Sequence, residues 1–194
     1  MKSVSVFCGA NTGTDPVYKL SAFNVGVALA QKGIHLVFGG GKVGLMGAVA
    51  DGALSAGGKV TGVIPTFLKV KELAHEGLTE LIVVPSMHER KMAMFELSEG
   101  TITLPGGFGS MDEIFEILTW GQLGLHQQPT AILNINGYYD ALLAQMERMI
   151  ADGFLKKQYR EMLISSSNIE TLIRTMEQYR HPEVEKWIVN NEMT

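Results

Sequence analysis

"SVSVFCGANTGTDPVYKLSAFNVGVALAQKGIHLVFGGGKVGLMG", residues 3 to 47, sets an apolar run, a polar turn, a long helical pattern, a second apolar run and a glycine loop in succession. The runs 3–8 and 35–39 are short, rich in β-branched residues and barely alternate, which is how a strand covered on both faces reads. Asp15 before Pro16 gives an N-cap with proline at the first helical position, and Gly33 ends the helix read over 16–32. Strands with little alternation, each followed by a helix, describe a parallel sheet.

The same grammar continues. Further strands are read at 59–65, 80–85, 101–105, 130–134 and 162–167, with helices at 44–57, 87–99, 110–123, 138–152 and 168–180 and one more near 182–191. The stretch 66–79 reads as loop or short helix. The expectation is an α/β chain, a doubly wound parallel sheet with helices on both faces, forming a single domain over residues 1–194.

Composition narrows the function classes. A formal net charge of −4 and no sustained run of Lys or Arg argue against a nucleic-acid or membrane surface. The single cysteine, Cys8, lies in an apolar run, forms no internal disulfide and reads as a buried thiol of a reducing compartment. The apolar stretch behind Lys2 ends at Gly9, too short for a secretion signal, so a cytoplasmic location is expected.

In doubly wound sheets the ligand crevice lies beyond the carboxyl ends of the strands. Two glycine loops fall there. In the first, Gly39, Gly41 and Gly44 match G-x-G-x-x-G. It follows the second strand rather than the first, and the next strand ends in Pro65 with no acid for a ribose hydroxyl, so a nicotinamide cofactor is not expected. The Walker pattern fails at Val43, and the histidines lack zinc spacing, so no metal is expected. The second loop holds Gly106, Gly107 and Gly109, and the pair suggests a nucleotide-sized crevice whose phosphate meets the N–H groups of residues 107 to 110.

Asp112 and Glu113 follow that loop, where acids would compete with a bound phosphate for the helix dipole. Glu113 has two readings. Spaced three residues after Ser110 it fits a capping box; alternatively it reaches the sugar carried by the phosphate, where a carboxylate polarises water and stabilises an oxocarbenium-like carbon. The residue pattern assigns Asp112 no role.

"PGGFGSMDE" (105 to 113), "MHERK" (87 to 91) and "VFGGGKVGLMG" (37 to 47) together resemble the Lonely Guy family, cytokinin riboside 5'-monophosphate phosphoribohydrolases formerly labelled lysine decarboxylases. Its signature P-G-G-x-G-T-x-x-E begins fifteen residues after an arginine, and Arg90 to Pro105 keeps that spacing. The similarity runs from "FCGAN" to "GYYDALL" (137 to 143). It implies a Rossmann-like fold, a homodimer, and hydrolysis of the N-glycosidic bond of adenine nucleotides, a reaction that needs no metal or redox cofactor. Matched position by position, it implies Arg90 and Glu113 as catalytic residues, with substrate contacts from Gly40, Gly41, Glu72, Lys91, Gly106, Gly107, Phe108, Gly109, Ser110, Met111, Asp112 and Thr119. Two departures stand out: Ser110 replaces the signature threonine and keeps its hydroxyl, and "EGTITLPGG" (99 to 107) replaces the usual "DAFIALPGG".

Two rivals follow from the same residues. A carrier of the same fold, such as a molybdenum-cofactor protein, would hold a phosphorylated ligand without cleaving it; retention of Arg90 and Glu113 favours the enzyme. A pyridoxal-phosphate decarboxylase lacks an identifiable Schiff-base lysine.

Overall fold

The computed structural model describes residues 1–69 and 74–183. Seven strands form one parallel sheet: β1 (Ser3–Phe7), β2 (His35–Phe38), β3 (Val60–Pro65), β4 (Glu80–Val84), β5 (Thr101–Thr103), β6 (Thr130–Leu133) and β7 (Leu163–Ser166). Their order across the sheet is β4-β3-β2-β1-β5-β6-β7. The chain therefore steps outward from β1 to β4, returns to lay β5 beside β1, and steps outward the other way. With right-handed crossovers, that reversal puts helices on both faces and opens a crevice between the carboxyl ends of β1 and β5.

One face carries α1 (Pro16–Gln31), α2 (Gly44–Ser55) and α8 (Ile169–Glu177), whose Leu29, Val49 and Ile173 pack on Val4, Leu36 and Ile102 of the sheet. The α1–α2 contact is close because its glycines face backbone: a Cβ on Gly26 would lie 2.1 Å from the Val49 carbonyl oxygen, and one on Gly52 2.0 Å from that of Phe23. The opposite face carries α4 (Met87–Glu96), α5 (Phe108–Gln122) and α6 (Asp140–Ala151). There Met94 and Ile117 meet Phe7, Val37 and Val63, while Ile114 and Met146 meet Ile132. Cys8 is buried just past β1.

All seven expected strands form, and α1 starts as read, with the Asp15 carboxylate accepting from the Val17 N–H at 2.9 Å. The capping box at Ser110 does not. Helix α5 starts two residues earlier, at Phe108, with Gly107 as its N-cap, so Ser110 lies in the first turn and Glu113 in the second. The capping box is found instead on α4, where Ser86 accepts from the Glu89 N–H and donates to its carboxylate. The 66–79 stretch opens with the short helix α3 (Thr66–Lys69), and a turn of helix not read from sequence, α7 (Lys157–Arg160), precedes β7. The helix expected near 182–191 falls almost wholly outside the described residues.

Candidate active site

Three strand ends build the crevice. The segment after β1 (residues 9 to 13), the segment after β5 (105 to 110) and Tyr138 beyond β6 enclose a cleft of about 450 Å³, with Leu45 and Met46 of α2 and Met87 and Arg90 of α4 completing its walls. The segments are tied together by backbone: Gly9 N–H donates to the Pro105 carbonyl at 3.0 Å, and Leu45 N–H to the Gly9 carbonyl at 3.0 Å. Helices α1, α4 and α8 are capped by Asp15, Ser86 and Asn168, but α5 begins at a glycine without a side-chain cap. Its first N–H groups have no intrahelical partner and open beside the cleft. A Cβ on Gly107 or Gly109 would meet nothing within 4 Å, so the space above the loop is free for a ligand.

Arg90 and Glu113 meet at the foot of this cleft. Both are buried, at 7% and 6% exposure, and Arg90 Nη1 stands 3.6 Å from Glu113 Oε1. Arg90 is fixed from several sides: its Nε donates to the Val63 carbonyl at 3.1 Å, while Nη1 and Nη2 rest on the sulfurs of Met87 and Met46 at 3.9 and 3.8 Å. Its guanidinium lies over Gly39, where an added Cβ would be 1.7 Å from Nη2. Weak sulfur acceptors and one long ion pair leave the fork with donor capacity for an anion or a sugar oxygen. Burial pushes the Glu113 carboxyl from its ordinary 4.5 up to about 7, and the positive charge of Arg90 restrains the rise. A carboxyl poised there exchanges protons near neutrality, as a general base must. Burial likewise drives the Cys8 thiol, which also lines the cleft, far above its ordinary range, so it stays protonated.

A family model described as "Possible lysine decarboxylase" matches residues 46–176. The cytokinin riboside 5'-monophosphate phosphoribohydrolase of Rhodococcoides fascians is 48% identical over 173 residues, covering 89% of this chain and 87% of that protein. LOG7 of Arabidopsis thaliana, with the same enzyme name, is 39% identical over 185 residues, 95% of this chain and 85% of its own length. The chain belongs to the Lonely Guy family. In fold it is also similar to the molybdenum cofactor binding protein of Rippkaea orientalis, with a TM-score of 0.69 at 21% identity over 92% of this chain and 97% of that one.

The Lonely Guy positions named from sequence fall in several places. Arg90, Gly106, Gly107, Gly109, Ser110 and Glu113 all line the cleft. Lys91 and Asp112 instead form, with Glu116, a bridge between α4 and α5, with Lys91 Nζ 3.0 Å from Asp112 and 2.8 Å from Glu116. That bridge holds the two helices in the register that brings Arg90 opposite Glu113. Phe108 is 96% exposed at the rim, Met111 packs from α5 onto the core cluster of Ile114, Ile132 and Tyr139, and Thr119 donates to the Phe115 carbonyl at 2.7 Å on an exposed turn. Gly40 and Gly41 hold the backbone of residues 74 and 75, through the His75 N–H and a bridge to Ala74. Glu72 lies outside the described residues. Sequence reading did not single out Asn11, Thr12, Tyr18, Met46, Met87 or Tyr138 as site residues, though all line the cleft. The carboxyl-end rule applied to β1 and β6 points to Asn11, Thr12 and Tyr138, whereas the methionines carry no signal beyond apolarity.

Proposed function

We propose that this chain hydrolyses the N-glycosidic bond of adenine nucleoside 5'-monophosphates, cytokinin nucleotides included, to free base and ribose 5-phosphate. The reading takes its reaction from the names of its relatives. The observation that carries it here is the buried Arg90–Glu113 pair at the foot of a cleft whose upper wall is an open glycine loop. The N–H groups of residues 107 to 110 take the 5'-phosphate at the start of α5. Arg90, buried with one long ion pair at 3.6 Å and donor capacity to spare, draws the sugar-phosphate inward. Glu113 accepts a proton from water as the water oxygen bonds to the anomeric carbon, the bond from that carbon to the base nitrogen breaks with its electron pair leaving on the base, the base takes up a proton from solvent, and Glu113 returns its own to solvent. While the sugar carbon is cationic, the ionised carboxylate stabilises it.

A carrier of the same fold needs the glycine loop but no buried acid beneath it, so the pair weighs against that alternative. A second copy of the chain packing on the β4–α4 side is supported by the exposed apolar side chains of Val83, Met87 and Leu97 there. Light scattering should return a dimer, and a 21.2 kDa species at micromolar concentration would reject it. A soluble cytoplasmic enzyme without nucleic-acid partners fits the acidic charge balance, and no helix among the described residues is long and apolar enough to cross a membrane. The test of function is incubation with AMP, isopentenyladenosine monophosphate, GMP and CMP, with released bases separated by chromatography. Adenine-type bases are expected, and no free base from any of the four would reject the reading.

A further inference from the structure

The four carbonyl groups between β5 and the first turn of α5 are all turned onto donors from the protein. Leu104 O accepts from the Tyr139 hydroxyl at 2.6 Å and Pro105 O from Gly9 N–H at 3.0 Å. Gly106 O accepts from the Tyr138 hydroxyl at 2.6 Å and Gly107 O from Met111 N–H at 3.1 Å. A phosphate is repelled by carbonyl oxygens and held by N–H groups, so a loop that binds one must point the first away and the second inward. Three of the four donors are backbone or buried. Tyr138 is different: its side chain is exposed, lines the cleft and holds the carbonyl of the glycine next to the proposed phosphate seat.

The chain goes to some length to place this hydroxyl. Tyr138 follows Asn136 and Gly137, both left-handed with φ of 50° and 68°, a turn that brings the chain off β6 sharply. Asn134 accepts from the Tyr139 N–H at 2.7 Å and donates to Asp140 at 2.7 Å, fixing the start of α6. The Tyr138 ring meets Tyr18 of α1 edge to face, with centroids 5.9 Å apart, across the mouth of the cleft.

We propose that Tyr138 is a positioning residue for the 5'-phosphate, its hydroxyl holding the Gly106 carbonyl out of the phosphate seat while its ring walls the cleft. The inference rests on the hydrolase reading above for what the loop binds. Without the hydroxyl, the Gly106–Gly107 peptide is free to rotate and present its oxygen to the phosphate. Binding of phosphorylated ligands then weakens, and the reacting end of the site is untouched.

The test compares wild type with Tyr138→Phe, which keeps the ring, using ribose 5-phosphate binding by calorimetry, AMP hydrolysis, adenosine hydrolysis and thermal midpoint. One lost hydrogen bond of this kind corresponds to a loss of about three- to tenfold in ribose 5-phosphate affinity. KM for AMP should rise in the same proportion with little change in kcat, while kcat/KM for adenosine, which has no phosphate, stays equal in the two proteins. Unchanged ribose 5-phosphate affinity would overturn the proposal, as would a lowered midpoint with affinity intact, or an equal loss on adenosine. Failure of the hydrolase reading is separable: wild type would release no adenine from AMP, yet the ribose 5-phosphate comparison would still decide for or against Tyr138.

Discussion

The two glycine loops look alike in sequence and differ in what fills them. After β2, the space beside three glycines is taken by protein: a Cβ would be 1.7 Å from Arg90 Nη2 at Gly39, 2.2 Å from the Ala10 carbonyl carbon at Gly44 and 2.1 Å from the Lys42 carbonyl oxygen at Gly47. After β5, Gly106 is closed by the Ser110 side chain, but Gly107 and Gly109 have nothing within 4 Å. The start of α2 is likewise closed, by the Gly9 carbonyl on Leu45 N–H, whereas α5 begins open. At Gly39 and Gly44 the G-x-G-x-x-G spacing therefore serves to seat an arginine and a neighbouring loop. The glycines with open space beside them are Gly107 and Gly109 of the second loop.

The largest expected effect is at Gly39. Gly39→Ala forces the guanidinium off its seat, and kcat for AMP should fall by on the order of a hundredfold or more, with a stability loss of about 1–3 kcal/mol from overpacking. Near-normal turnover would show that Arg90 does not depend on this glycine. At Gly107 the effect should fall on binding: Gly107→Val blocks the open space, and ribose 5-phosphate affinity should drop by about tenfold or more while the fold persists. Equal affinity would reduce the second loop to a turn.

Much of this was legible. The strands show because each is a short apolar run closed by a turn residue, and α1 shows because Asp15-Pro16 and Gly33 mark its ends. The start of α5 was misplaced because Ser110 looks like a cap, while the true N-cap, Gly107, carries no side chain to announce itself. The contrast between the loops was not legible, since a glycine's identity does not say whether protein or solvent lies beside it. Lys91 and Asp112 are expected as ligand contacts because they match family positions; the sequence does not show that Lys91 also pairs with Asp112 and Glu116 across α4 and α5.

Smaller effects sharpen the contrast. kcat/KM should lose a factor of ten per pH unit below about 7, where Glu113 becomes protonated, and level off above it. A profile flat down to pH 5 would exclude Glu113 as the base. Gly109→Ala lies in the first turn of α5 with free space around it, so the better helix former should raise stability by about 0.5–1 kcal/mol while weakening phosphate binding. A variant that gains stability and keeps full affinity would place the phosphate elsewhere.

The central claim is that Glu113 acts on the sugar and does not serve the fold, and Glu113→Gln measured at pH 8 tests it most directly. Because burial holds the folded-state value above the ordinary 4.5, the folded protein keeps this proton more tightly than the unfolded chain. Wild-type stability therefore declines as pH rises from about 4.5 to about 7 and loses no more above it, and the neutral amide removes that penalty. The expected result is a thermal midpoint at pH 8 no lower than wild type, ribose 5-phosphate affinity retained, and kcat for AMP reduced by on the order of a hundredfold or more. A variant that turns over AMP at close to the wild-type rate would contradict the account.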